Sequence, residues 1–285
     1  MQMVYLNGEF IPGTEAKVSV FDRGFLMGDA IYEVTSVMEG RLLEFEGHMD
    51  RLERSLAILD MPNPLTRDEW LHIHRELVRL NCVVDGLVYL QVTRGSSGER
   101  SFEYPPNGTS QTVVLFTQSR PGAAANAQAR TGIRVISMPD LRWGRRDVKT
   151  VQLLYPSMAK MEARRKGADD AWFTEGFFVT EGTANNAFIV QDGVVITRPR
   201  SNAILHGTTR GSLLRYAVKA QIEVEERPFT LDEAKAADEA FMTASVAYVV
   251  PVVEIDGVRI GDGAPGPLTK RLREVYLELA LKEGL

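Results

Sequence analysis

Cysteine is almost missing from this 285-residue chain: Cys82 stands alone. An intrachain disulfide and a cysteine-based zinc site are both excluded, and a reducing, cytoplasmic setting is the expectation. Long hydrophobic runs are missing too. No stretch approaches the roughly eighteen apolar residues of a membrane-spanning helix. The N-terminal MQMVYLNGEFIPG has neither the charged start nor the apolar core of a secretory signal. A net charge of −5 supplies no basic field, which argues against nucleic acid or an anionic membrane as partner. There is no glycine-rich dinucleotide or P-loop fingerprint, no HExxH, no GxSxG and no internal repeat. His72 and His74, two apart on a helical stretch, point to different faces and cannot share a metal ion. Both are expected at the surface or partly packed, and no metal site is expected.

What is present is ordinary for a globular protein: 44% hydrophobic and 25% charged residues. Turn pairs that tolerate positive φ mark hairpins at Asn7-Gly8 in VYLNGEFI, Asp192-Gly193 in AFIVQDGVVITR and Asp256-Gly257 in PVVEIDGVRI. EGHMDRLERSLAIL reads as a helix with Met49, Leu52, Leu56 and Leu59 at helical spacing. TRDEWLHIHRELVRL reads as a second, opened by a capping box of Thr66 and Glu69. The strands GLVYLQVTRG and QTVVLFTQ follow. Residues 119–131, SRPGAAANAQART, are poor in large apolar side chains and carry Pro121-Gly122, the mark of a linker. Beyond it come the strand GIRVISM and the helix PSMAKMEARRKGADD, with Pro156 at its start. The helix GTTRGSLLRYAVKAQI has Leu213, Leu214, Ala217 and Val218 inward. The strand AFMTAS and a last helix, PLTKRLREVYLELALKEG, complete the pattern. Helices and strands interleave, yet hairpins are frequent. The pattern predicts two α+β domains with mixed and antiparallel sheets and flanking helices. The expected boundaries are a small domain over 1–118, a linker over 119–131 and a larger domain over 132–285 that carries Lys149.

Some residues carry chemistry. DVKTVQLL (147–154) sets Lys149 among Val148, Val151, Leu153 and Leu154, a run that reads as buried. Either its stem lies along apolar groups with its head in water, or it is held in a pocket as an amine nucleophile. HGTTRG opens a helix with Gly207, Thr208 and Thr209, whose N–H groups, hydroxyls and dipole suit an anion. Taken alone, a plain threonine cap is the simpler reading. Arg51, one turn from Arg54 in GHMDRLERS, offers a fork suited to phosphate. Glu181 in VTEGTANNAF stands at a strand end before small and amide residues. Tyr32, after Gly24 and Gly28 in DRGFLMGDAIYEV, emerges where it can meet a ligand, or is a core aromatic. An amine nucleophile, a phosphate cradle and an isolated carboxylate are together what a pyridoxal phosphate enzyme takes from its protein.

With these stretches in place, the chain resembles the fold-type IV pyridoxal 5'-phosphate enzymes. That family comprises D-amino acid aminotransferases, branched-chain aminotransferases and aminodeoxychorismate lyases, and the chain is most similar to the first. The resemblance runs through DRGFLMGDAIYEV, GHMDRL, YLQVTRG, DVKTVQLL, VTEGTANNAF, ILHGTTR and FMTASVAYVVPV, nearly the whole chain. It implies that Lys149 carries the cofactor and shuttles the proton at the substrate α-carbon. It implies that Glu181 meets the pyridine nitrogen, that Arg51, Thr208, Thr209 and Ser245 hold the phosphate, and that Leu205 packs on the ring face. Tyr32 is then on the substrate side, and the assembly is a homodimer.

The resemblance implies a transaminase (class IV) that moves an amino group from a D-amino acid, of the D-alanine or D-glutamate type, to a 2-oxo acid. The alternatives within the family are an (R)-selective amine or branched-chain transaminase and a carbon–carbon lyase. From another class, the alternative is a protein that only binds the cofactor. One departure stands out. Where D-amino acid aminotransferases carry an arginine and a histidine for the substrate carboxylate, this chain has Glu99 and Ser101, in GSSGERSF. A one-residue shift of that glycine-containing loop would present Arg100 instead. Failing that, Tyr32 with Arg142, Arg145 or Arg146 would have to serve.

Overall fold

A computed structural model describes residues 2–285, which fall into two units. The first comprises the chain up to Pro121 with Val148–Gln152 and Gly284–Leu285. Its elements are β1 (Met3–Leu6), β2 (Glu9–Pro12), α1 (Arg23–Met27), β3 (Ala30–Met38), β4 (Arg41–Leu42), α2 (Phe45–Ile58), α3 (Arg67–Leu80), β5 (Gly86–Thr93) and β6 (Thr112–Ser119). The strands form an antiparallel six-stranded sheet in the order β2-β1-β6-β5-β3-β4. Asn7 (φ 48°) and Gly8 (φ 108°) close the first hairpin, with Leu6 opposite Glu9. The expected capping box forms: Thr66 accepts from the Glu69 N–H, and Glu69 accepts from the Thr66 N–H. One sheet face, with Ile31, Val37, Val88, Leu90, Val92, Val113 and Leu115, meets Met49, Leu52 and Leu56 of α2 and Trp70, Ile73 and Leu77 of α3. His74 is fully buried with them, not at the surface: its Nδ1 lies 2.7 Å from the Trp70 carbonyl. Burial lowers its pKa to about 4, so the ring is neutral near pH 7.

The lysine stretch belongs to this first unit, whereas the sequence reading put Lys149 in the C-terminal domain. The reason is backbone pairing at the start of β3. The Tyr32 N–H donates to the Lys149 carbonyl (3.0 Å), the Val151 N–H to the Ala30 carbonyl (3.2 Å), and Ile31 bridges Thr150. The run is also less buried than it reads: Val148 and Thr150 are buried, but Leu153 and Leu154 are exposed.

The second unit spans Gly122–Asp147 and Leu153–Glu283. The stretch read as a linker contains the unit boundary, but it is not extended: Ala127–Thr131 form α4. Then come β7 (Ile133–Pro139), α5 (Leu154–Arg165), β8 (Asp170–Glu175), β9 (Phe178–Gly182), β10 (Asn186–Gln191), β11 (Val194–Thr197), α6 (Thr208–Lys219), β12 (Val224–Glu226), α7 (Leu231–Ala236), β13 (Glu239–Ala244), β14 (Tyr248–Ile255), β15 (Val258–Arg259) and α8 (Pro267–Glu283). The sheet is mixed, in the order β12-β11-β10-β13-β14-β7-β8-β9, with β15 on β14. Its parallel pairs are β11 with β12, β7 with β14 and β7 with β8. Ile133, Val135, Trp172, Ile189, Phe229 and Val250 lie in its core. On α6 the inward residues are Leu213, Tyr216 and Ala217; Val218, expected inward, is exposed.

Candidate active site

In the first unit, β3 and the lysine stretch bring Tyr32 and Lys149 together. The Lys149 ammonium lies 4.2 Å from the Tyr32 ring centroid, a cation–π distance. The Tyr32 ring stacks on Tyr89 at 5.6 Å, and Tyr89 on Phe116 at 4.7 Å, so three strands support it. The next residue, Glu33, faces the core. Arg51 grips it as a fork, Nε to Oε1 at 2.8 Å and Nη2 to Oε2 at 2.6 Å, and His48 Nδ1 lies 2.8 Å from Oε2. All three are buried. Burial opposes ionisation of Glu33, but the Arg51 charge and its hydrogen bonds outweigh it and hold the carboxyl well below the usual range. Arg51, the residue read as a phosphate ligand, thus has a carboxylate partner within its own unit. Sequence reasoning missed Glu33 and His48. The signal was available: Glu33 alternates with Ile31 and Val37 on the apolar face of β3, and a carboxylate there requires a cation.

Arg100 is exposed, with its guanidinium 5.0 Å from the Phe102 ring centroid. Its loop is held from below. Arg23 Nη1 donates to the Ser101 carbonyl (2.6 Å) and the Glu103 carbonyl (3.0 Å), and the Arg94 guanidinium lies 3.7 Å over the Tyr104 ring. Arg23 and Arg94 share the Asp29 carboxylate at 2.7 and 2.8 Å.

In the second unit, Glu181 ends β9 and is buried. Four contacts hold its carboxylate. Arg142 Nη1 donates at 2.7 Å, Asn186 Nδ2 at 2.9 Å, and the Leu205 N–H reaches both oxygens at 3.0 and 3.1 Å. Burial pushes the carboxyl up, and the Arg142 charge only partly offsets it. The offset is partial because Arg142 also serves Asp140, through Nε at 2.9 Å and Nη2 at 2.7 Å. Asn186 bridges Glu181 to the Leu205 carbonyl (2.9 Å), so Glu181 and Leu205 form one cluster. Gly207 precedes α6 with no side-chain cap, and a Cβ there would sit 2.1 Å from Asn186 Oδ1, so only glycine brings the helix start this close. Thr208 and Thr209 open α6, and Thr209 is buried. Ser245 starts the turn between β13 and β14. Asn186 pairs with Thr243 in the ladder, two residues before Ser245. The arginines offered as a second carboxylate clamp are all engaged: Arg142 as above, Arg145 with Asp147 (3.0 Å) and Arg146 with Glu175 (3.2 Å).

No helix among the described residues is long and apolar enough to cross a membrane, and among them no cluster of three or more His, Cys, Asp or Glu residues can hold a metal ion.

The profile of the family described as amino-transferase class IV matches residues 30–255. The D-alanine aminotransferase of Staphylococcus aureus (strain N315) is 36% identical over 276 residues, covering 97% of each chain. The D-alanine aminotransferase of Bacillus licheniformis is 36% identical over 281 residues, covering 98% of each. Among solved structures, the Escherichia coli branched-chain amino acid aminotransferase superposes with a TM-score of 0.90 at 26% identity, covering 98% of this chain and 94% of that one. The T.th. branched-chain amino acid aminotransferase with pyridoxamine 5'-phosphate gives 0.89 at 31% identity, with the same coverage.

Proposed function

The chain belongs to the amino-transferase class IV family, and on that premise we propose that it is a pyridoxal 5'-phosphate-dependent transaminase. Its donor is a D-amino acid of the D-alanine type and its acceptor a 2-oxo acid. The observation that carries the donor assignment is the likeness to two D-alanine aminotransferases over almost the whole chain. The residues fit the cofactor. Burial raises the proton affinity of Glu181, which suits a partner that shares a proton with it, and Gly207 leaves the start of α6 without a side chain in the way. Lys149 would carry the cofactor. Arg51, Thr208, Thr209 and Ser245 would hold its phosphate, and Leu205 would lie on its ring face.

Bound pyridoxal phosphate supplies an electron sink for charge at the substrate α-carbon. The chain supplies the rest. The Lys149 amine takes and returns the α-proton, with the Tyr32 ring 4.2 Å away to fix its position. Glu181 keeps the ring nitrogen protonated, held in place by Arg142, Asn186 and the Leu205 N–H. Tyr32 lines the substrate side. Arg100, exposed in its loop beside Phe102, would take the substrate carboxylate.

The superposition on branched-chain aminotransferases supports a second reading, with a branched-chain amino acid as donor. A screen of D- and L-amino acids separates the two. A homodimer is part of the proposal. Leu154, Met158 and Met161 make an exposed apolar stripe on α5, and Phe102 and Tyr104 are exposed in the first unit. The single, exposed Cys82 fits a reducing cytoplasm.

Lys149→Ala tests the core of the assignment. Mixed with excess D-alanine, the variant is expected to lose the amino-transfer half-reaction entirely. A wild-type rate, with a cofactor adduct still reducible by borohydride, would show that another amine does the work.

A further inference from the structure

Arg273 lies within α8 and is buried, yet among the described residues no carboxylate pairs with it. Its donors go to main-chain carbonyls: Nη1 to Ala247 (2.9 Å) and Val249 (2.5 Å), Nη2 to Ala124 (2.8 Å). The carbonyls of 247 and 249 flank Tyr248, which has φ 63°, a left-handed backbone that is an outlier for a bulky residue. The Tyr248 ring is fully buried, 5.8 Å from the Arg273 guanidinium and 5.8 Å from the ring of Tyr276, also on α8. The same helix is tied to the other end of the hairpin. The N–H groups of Leu268 and Thr269 donate to Glu239, at the start of β13, at 2.9 and 2.8 Å. So α8 grips both ends of the β13–β14 hairpin, and its one buried cation is bonded, through the Ala247 carbonyl, to the turn that begins with Ser245. Buried cations are normally paired with an acid. Here carbonyl dipoles take that place and leave net positive charge beside the turn.

We propose that Arg273 is the positioning residue of the phosphate-binding turn: its fork fixes the carbonyls on either side of Tyr248, keeps the strained turn in shape, and sets a positive charge beside the turn that Ser245 begins. This rests on the reading above in which Ser245 meets the cofactor phosphate.

The test compares two aldehydes that differ only in the phosphate. Apoenzyme is titrated with pyridoxal 5'-phosphate and with pyridoxal, followed by absorbance of the bound aldehyde. Arg273→Gln is expected to weaken pyridoxal 5'-phosphate by about tenfold or more, the scale of one charge-assisted contact, and pyridoxal by less than about twofold. Arg273→Lys keeps the charge without the fork and should fall between; it carries the same comparison if the glutamine variant does not fold. Equal weakening of both aldehydes, or an unchanged preference for the phosphorylated one, overturns the proposal. Ser245→Ala separates the two levels of the argument. If it keeps the wild-type preference, the phosphate assignment itself fails. If it loses the preference while Arg273→Gln keeps it, only the role of Arg273 fails.

Discussion

Glu33 in the first unit and Glu181 in the second are 1% and 2% exposed, and each touches an arginine. Yet the carboxyl of Glu33 is held well below the ordinary range and that of Glu181 is pushed above it. The difference lies in how the positive charge is divided. Arg51 gives Glu33 two hydrogen bonds of its fork, and His48 adds a third contact. Arg142 gives Glu181 one hydrogen bond and turns the rest of its fork to Asp140. Burial is set against an undivided cation in one case and a shared one in the other. One carboxyl is held firmly as an anion, while the other keeps a raised affinity for its proton.

Glu33→Gln should break the comparison most visibly. It strips the buried Arg51 of its anion, at a cost of about 3–5 kcal/mol in urea unfolding. A loss under about 1 kcal/mol would mean that Arg51 finds another anion in its unit.

His74 sharpens the comparison, because it is a buried base bonded only to a carbonyl. Its folded pKa of about 4 lies below the unfolded value of 6.5. Between those values the unfolded chain binds a proton that the folded chain refuses, so stability is lost as pH falls from 6.5 toward 4, by up to about 3 kcal/mol. Unfolding midpoints of wild type and His74→Gln over that window should converge as the pH drops. Parallel curves would place the acid sensitivity in other groups.

The smallest effect on stability is expected from Glu181→Gln, under about 1 kcal/mol, because burial already favours the uncharged form. Under the role proposed for Glu181, the effect is expected on turnover instead, with kcat reduced more than KM because an amide would not hold the ring nitrogen protonated. A stability loss as large as that of Glu33→Gln would erase the contrast between the two sites.

The sequence announces what local chemistry decides. Asn7-Gly8 and Asp256-Gly257 close the hairpins they predict, and Thr66-Glu69 caps its helix. These signals lie within four residues of one another and need no tertiary context. The roles proposed for Lys149, Glu181 and the helix start at Thr208 come from sequence surroundings that resemble a family, since spacing alone does not specify them. What stayed hidden was non-local. Glu33 and Arg51 are eighteen positions apart, and Arg142 and Glu181 thirty-nine. On α2 the inward stripe includes His48, Arg51 and Ser55 beside Met49 and Leu52, so Arg51 faces the core. Val218 fits the apolar pattern of α6, yet it lies one residue from the end of the helix, where nothing covers it.

The pairing of the 148–152 stretch with β3 has a consequence for biosynthesis. The first unit is discontinuous in the chain: its sheet is encoded before Pro121, but the segment that sets Lys149 against Tyr32 is translated only after residues 122–147, which belong to the other unit. At about 5–20 residues per second, a ribosome takes seconds to deliver it. During that interval the edge of β3 at Ala30 and Tyr32 is an open template. A nascent chain can therefore build most of this sheet before the segment that covers the start of β3 arrives, and Gly284 and Leu285, the latter paired with Leu42 in the same unit, follow later still.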